Sequence, residues 1–229
     1  MKPYAKIILP LLVTQGMLFA VENANDIKPH SYGMGNVTIN VLPGLSTTTK
    51  DSTTVIDNLN TFGIEIHSKA SLKQYHYKKG EFFWEGGGQF LISKDIQGTD
   101  LELFSIESDM GYSTNIHENF LLATDIGLNG EWLNYTPTGQ EKQTNKELYV
   151  YGEIVAGFDF QKKYSILSIY RHSLFKELGK NYFKSEISLP IQYNVDRDTA
   201  INIIPSYEHN NLYNMDTYKI MIGFSWLYR

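Results

Sequence analysis

The feature that most constrains this chain is a two-residue hydrophobic period that recurs along most of its length. In a strand, successive side chains point to opposite faces, so this period marks strands with one apolar and one polar side. The clearest case is 147–161. Leu148, Val150, Gly152, Ile154, Ala156, Phe158 and Phe160 share one face, opposite Tyr149, Tyr151, Glu153, Val155, Gly157 and Asp159. Near the C-terminus, Tyr218, Ile220, Ile222, Phe224, Trp226 and Tyr228 lie opposite Lys219, Met221, Gly223, Ser225 and Leu227. Segments 103–112, 120–134 and 182–193 alternate in the same way. Weaker alternation covers 35–42, 62–76, 82–93 and 200–208. Segment 164–174 is ambiguous, because Leu167 and Ile169 share a face with Arg171. The pattern predicts ten strands, or eight if 35–42 and 164–174 are left out.

Strands of soluble proteins average about 5–6 residues. Several of these segments run past ten, close to the length that crosses a bilayer at a tilt. Inside lipid every backbone donor and acceptor needs a partner, so strands cross only as a closed barrel. An even count suits such closure, and so does the alternation of connections. The breaks near 77–81, 115–119, 161–163 and 195–199 are short, whereas 43–60 and 135–146 are long. The Ser- and Thr-rich stretch 43–60 is expected to be a surface loop. With ten strands, both termini fall on the short-turn side. The expected fold is all-β: a single antiparallel up-and-down transmembrane β-barrel behind an N-terminal signal peptide.

That signal peptide is expected over 1–24. Lys2 and Lys6 give a basic start, and 7–20 is mostly apolar but too short to span a membrane as a helix. Cleavage near Ala20 or Ala24 leaves 25–229 as the barrel domain. Export through such a signal points to a bacterial envelope, with the outer membrane as the destination of a strand-built span. The chain has no cysteine, which excludes disulfides and thiolate chemistry. Its net charge of −5 argues against a nucleic-acid partner.

Aromatics reach 14% and sit near the ends of the apolar faces. Phe120 with Trp132, Tyr164 with Tyr170, and Tyr218 with Trp226 and Tyr228 suit two membrane-interface girdles. The last strand, TYKIMIGFSWLYR, carries its aromatics at alternate positions and resembles the closing strand of bacterial outer-membrane β-barrels. Arg229 after Tyr228 departs from the terminal aromatic of that signature. The resemblance is to the superfamily of small OmpA/OmpW-like and porin-like barrels, and no subfamily motif is matched. It implies outer-membrane lipid as surroundings and the barrel-assembly machinery as a biogenesis partner.

The polar faces concentrate charge. Glu65, Lys69, Lys73, Glu85, Glu107, Asp109, Asp125, Glu131, Glu153, Asp159, Arg171, Lys184, Glu186, Glu208 and Lys219 are expected to face the lumen. A barrel of about ten strands is only slightly wider than one whose side chains fill it. These charges therefore form either a salt-bridge plug or a narrow polar pore, which their acidic excess would make cation-favouring. No cofactor or metal is expected, since the six histidines are scattered. Gly86, Gly87 and Gly88 lack a phosphate-loop context and are expected to allow a bend or the approach of a large side chain.

Catalysis is not expected. His172 and Ser173 are adjacent on a strand, so they point to opposite faces and do not converge. Outer-membrane lipid A deacylases place His and Ser two apart, but position 174 is Leu. Omptin-like proteases oppose an Asp–His pair to two aspartates, which Glu208 and His209 match poorly. The expected role is structural, surface-interacting or a limited small-solute pore. A soluble periplasmic β-barrel carrying a ligand is the main alternative, with its faces inverted. An outer-membrane hydrolase or protease with a rim histidine is the other.

Overall fold

A computed structural model describes residues 36–49, 55–58, 61–77, 80–94, 100–117, 119–136, 141–160, 164–174, 183–195, 199–211 and 215–227. The 1–24 segment and Tyr228 lie outside these residues. The elements are β1 (Asn36–Thr49), β2 (Val55–Asn58), β3 (Thr61–Tyr77), β4 (Gly80–Lys94), β5 (Asp100–His117) and β6 (Phe120–Thr136). β7 (Gln143–Phe160), β8 (Tyr164–Ser173), β9 (Lys184–Ser188), β10 (Ile191–Asn194), β11 (Thr199–Asn210) and β12 (Met215–Leu227) complete them.

Neighbouring strands pair antiparallel in chain order, and β12 pairs with β1, so the sheet closes as a ten-strand up-and-down barrel. β9 and β10 share one position between β8 and β11, on either side of Pro190. Proline cannot donate to the ladder, which accounts for the break. β2 lies along the same edge of β1 as β3, farther toward the loops.

Two sequence expectations are corrected. Segment 43–60 is not one long loop: β1 runs to Thr49, and β2 pairs back on it from Val55. A bulge between Val41 and Gly44, at Leu42 and Pro43, carries β1 past its apolar stretch. The longest gap between consecutive strands is instead 174–183, between β8 and β9. At the opposite end the strands are joined across 78–79, 118–119, 161–163 and 195–198, all short. Asn36 and Leu227 are partners at that same short-turn end.

The faces are those of a barrel made for lipid. Leu148, Ile154, Ile126, Ile220 and Ile222 point outward, with Ile154 60% exposed. Asn40, Lys69, Glu107, Asp109, Glu131 and Glu153 are buried inside. A soluble barrel has the opposite arrangement. A continuous apolar exterior of this size would drive association in water. Among the described residues, no helix is long and apolar enough to cross a membrane.

Candidate functional site

The interior is held together by charge. Arg171 on β8 donates to Glu107 on β5 at 2.6 Å and to Glu153 on β7 at 3.0 Å. Its guanidinium lies 4.3 Å from the centroid of the Tyr151 ring. Tyr151 in turn donates to Asp109 Oδ2 at 2.9 Å. Lys184 on β9 reaches Glu131 on β6 at 2.8 Å and Glu208 on β11 at 3.2 Å. Lys219 on β12 meets Glu186 at 3.2 Å and Glu208 at 3.4 Å. Lys69 pairs with Glu85 at 2.5 Å and lies over the Phe83 ring. β5 and β8 are not sheet neighbours, nor are β6 and β9, so the Arg171–Glu107 and Lys184–Glu131 pairs cross the lumen.

His67 sits among these carboxylates. Its Nε2 is 2.9 Å from Glu65, and its Nδ1 is 3.3 Å from Glu107 and 3.6 Å from Glu85. A Cβ at Gly87 would stand 2.5 Å from His67 Nδ1, so the glycine makes room for the imidazole. That is the approach of a large side chain expected for the glycine run. Neither metal-ligand spacing nor a neighbouring nucleophile singles out His67 in the sequence. Its parity with Glu65 and Lys69 on the charged face of 62–76 was the available signal.

Apolar clusters accompany the ion pairs inside the barrel. Leu91, Leu101 and Leu133, from β4, β5 and β6, pack with Met221 from β12. Phe83, Ala123 and Val155 form a second cluster, joined by Leu167 and Ile169. The ambiguous strand 164–174 thus turns Leu167, Ile169 and Arg171 inward. Among the described residues a polar cavity of about 210 Å³, lined by His67, Arg171, Lys219 and others, lies between these side chains.

The other predicted residues occupy defined places. Asp125 is buried inside, directly across the ladder from Glu153. Asp159 is on the inward parity of β7, and its N–H donates to the Asn119 carbonyl at 3.0 Å. Lys73 lies in β3, but its side chain is outside the described residues. Among the aromatics, Trp132 points outward toward the loop end, 5.4 Å from the Phe104 ring. Tyr218 packs at 5.0 Å on Tyr207. At the turn end are Phe120, Tyr164 against Tyr193, and Trp226 against Phe224. Tyr170 stacks on His172 at 6.2 Å.

His172 and Ser173 do point apart, as do Glu208 and His209. Ser173 and Glu208 are buried inside, and the histidines are on the outer wall. There, however, each histidine has another partner. His172 Nδ1 is 2.7 Å from Ser185 Oγ on β9. His209 Nδ1 is 2.7 Å from Asp216 Oδ1 on β12, an oxygen that also accepts from the Tyr207 hydroxyl at 2.8 Å. Sequence spacing hides these pairs, because only strand register brings the residues together.

Closure, an apolar exterior, a charged interior and turns shorter at one end define a transmembrane β-barrel of the outer-membrane type. A solved structure shows the same fold, and others resemble the chain more loosely. The outer membrane protease OmpT from Escherichia coli is similar with a TM-score of 0.52 and 8% identity, over 86% of this chain and 98% of that one. Neisserial surface protein A matches with a TM-score of 0.42 and 10% identity, over 85% and 97% of the two chains. Ail, the attachment invasion locus protein of Yersinia pestis, matches with a TM-score of 0.41 and 10% identity, over 86% and 99%. At 8% identity the likeness to OmpT is one of fold. No family model and no curated protein matches the sequence.

Proposed function

We propose that this chain is an outer-membrane barrel with a closed lumen, serving envelope structure and surface contact rather than solute passage. The observation that carries this reading is the set of ion pairs spanning the interior between non-adjacent strands, Arg171 to Glu107 and Lys184 to Glu131. A conducting pore needs a continuous aqueous path. In this reading the fixed pairs and the packed Leu91, Leu101, Leu133 and Met221 keep such a path from opening.

In this reading 1–24 is the export signal, and 25–229 inserts with the help of the barrel-assembly machinery. The outward aromatics lie at the two headgroup levels. The loop-end strand extensions, β1 to Thr49 with β2, stand above the outer leaflet, where a surface ligand would meet them. Planar-bilayer recording of the purified, folded protein tests the closed lumen. No discrete conductance steps are expected. Reproducible steps of uniform size, cation-favouring from the acidic excess, would overturn it and make the interior a pore.

A further inference from the structure

Four polar residues form a row across four neighbouring strands on the outer wall. His172 is in register with Ser185, Ser185 with His209, and His209 with Asp216. All four lie next to the 174–183 and 211–214 connections, at the loop end of the barrel. Their chain neighbours Ser173, Glu208 and Thr217 are buried inside, so the row itself faces out. Toward the membrane, the outward faces of the same strands carry Tyr170, Ile187, Tyr207 and Tyr218, then Ile203 and Ile220. The row therefore stands just above an aromatic level and an apolar wall. In the membrane-spanning reading, that is the depth of lipid headgroups and ester bonds.

The row holds both halves of a nucleophilic relay. Ser185 Oγ is within hydrogen-bond reach of an imidazole nitrogen, at 2.7 Å. A base at that distance is what serine activation requires. On the other flank of Ser185, His209 is fixed by Asp216 through Nδ1. A carboxylate only accepts, so Nδ1 of His209 carries the proton and Nε2 is the atom left for acid–base work. The Phe183 ring lies between the two imidazoles, 5.9 Å from His172 and 5.6 Å from His209. It is an apolar surface against which an acyl chain can lie. Solvation of a barrel rim needs none of this register.

We propose that the outer wall carries a serine esterase site for acyl esters of membrane lipids, with Ser185 as nucleophile and His172 as its base. The proposal rests on the membrane-spanning reading above. Ser185 Oγ bonds the ester carbonyl carbon as its proton passes to His172. Collapse of the tetrahedral species breaks the bond to the alcohol, which leaves with that proton. Water then cleaves the acyl–Ser185 ester, giving the carboxylic acid and restoring the hydroxyl. His209 is the second acid–base group, serving the water step, and Asp216 is its positioning residue.

The test uses the full-length protein, folded in detergent micelles and shown to be folded by a heat-dependent gel shift. It is exposed to an alkyl fluorophosphonate and, separately, to phosphatidylethanolamine vesicles labelled in the acyl chain. Covalent labelling at Ser185 and release of fatty acid are expected. Ser185→Ala should abolish both while keeping the gel shift, and His172→Gln should slow labelling by about 100-fold or more. Asp216→Asn should lower kcat with KM unchanged, and Asp216→Glu should restore part of it. Folded wild type that neither labels nor releases fatty acid would overturn the proposal, as would labelling that survives in Ser185→Ala. Labelling at Ser185 in a protein that fractionates as soluble, with no gel shift, would instead refute the membrane reading and the lipid substrate with it.

Discussion

Replacing Arg171 by Met tests whether the interior is held by buried charge. Arg171 joins Glu107 and Glu153, whose side chains are only 7% and 6% exposed. Met keeps much of the apolar stem but leaves both carboxylates without this partner. Breaking a buried pair in this way costs about 3–5 kcal/mol, because an uncompensated charge remains. For a chain of this size, roughly 2–4 °C of midpoint is lost per kcal/mol, so the midpoint should fall by roughly 6–20 °C. The assay is the temperature at which the folded gel band disappears in detergent. A triple variant, Arg171→Met with Glu107→Gln and Glu153→Gln, removes the two carboxylate charges together with the cation and should recover at least half of the loss. A fall of under about 3 °C in the single variant, corresponding to about 1 kcal/mol, would refute the reasoning. It would mean that water already solvates Glu107 and Glu153.

Other perturbations probe the packing and the faces. Gly127→Ala should lower the same midpoint, since its Cβ would stand 2.6 Å from Tyr151 Cζ and 2.7 Å from Asp109 Cβ. Overpacking of this kind costs about 1–3 kcal/mol. Gly130→Ala, whose nearest neighbour is Trp132 at 3.6 Å, should be tolerated. Ile154→Arg places a charge on the lipid face and should cost about 2–4 kcal/mol if it sits near the bilayer midplane, read by urea titration in lipid vesicles. A cost near zero would show that the Ile154 face meets water rather than lipid. Single-tryptophan variants retaining Trp132 or Trp226 should be quenched by brominated lipids, most strongly with bromines near the headgroup end of the acyl chain. Absence of quenching would remove these residues from the membrane interface.

The alternation of 147–161 and of the C-terminal strand was enough to reveal a barrel. A period of two needs only local side-chain direction, and a bilayer demands long strands with one apolar face. Segment 43–60 was harder, because Ser and Thr repeat there without apolar contrast. Its strand character comes from pairing with β12, far along the chain, and from β2 folding back on β1 within the segment. The charged face of 164–174 was obscured by Leu167 and Ile169, which pack inside on Phe83, Ala123 and Val155. The lumen charges could be named from parity, but their partners could not. Arg171 finds Glu107 across the barrel, at a sequence separation of 64 that no spacing rule encodes. The same limit hid His172 with Ser185, which meet only because β8 and β9 pair in one particular register. Reading neighbours in sequence correctly separated His172 from Ser173, and said nothing of the strand beside it.

The central claim is that this chain spans a membrane as a closed β-barrel. Separating inner and outer membranes, then comparing boiled and unboiled protein by electrophoresis in SDS, tests it most directly. The account predicts recovery in the outer-membrane fraction, with an unboiled form that keeps its fold in SDS and changes mobility only on heating. Recovery as a soluble protein whose mobility is the same with and without boiling would contradict it, and the faces would then have to be exchanged.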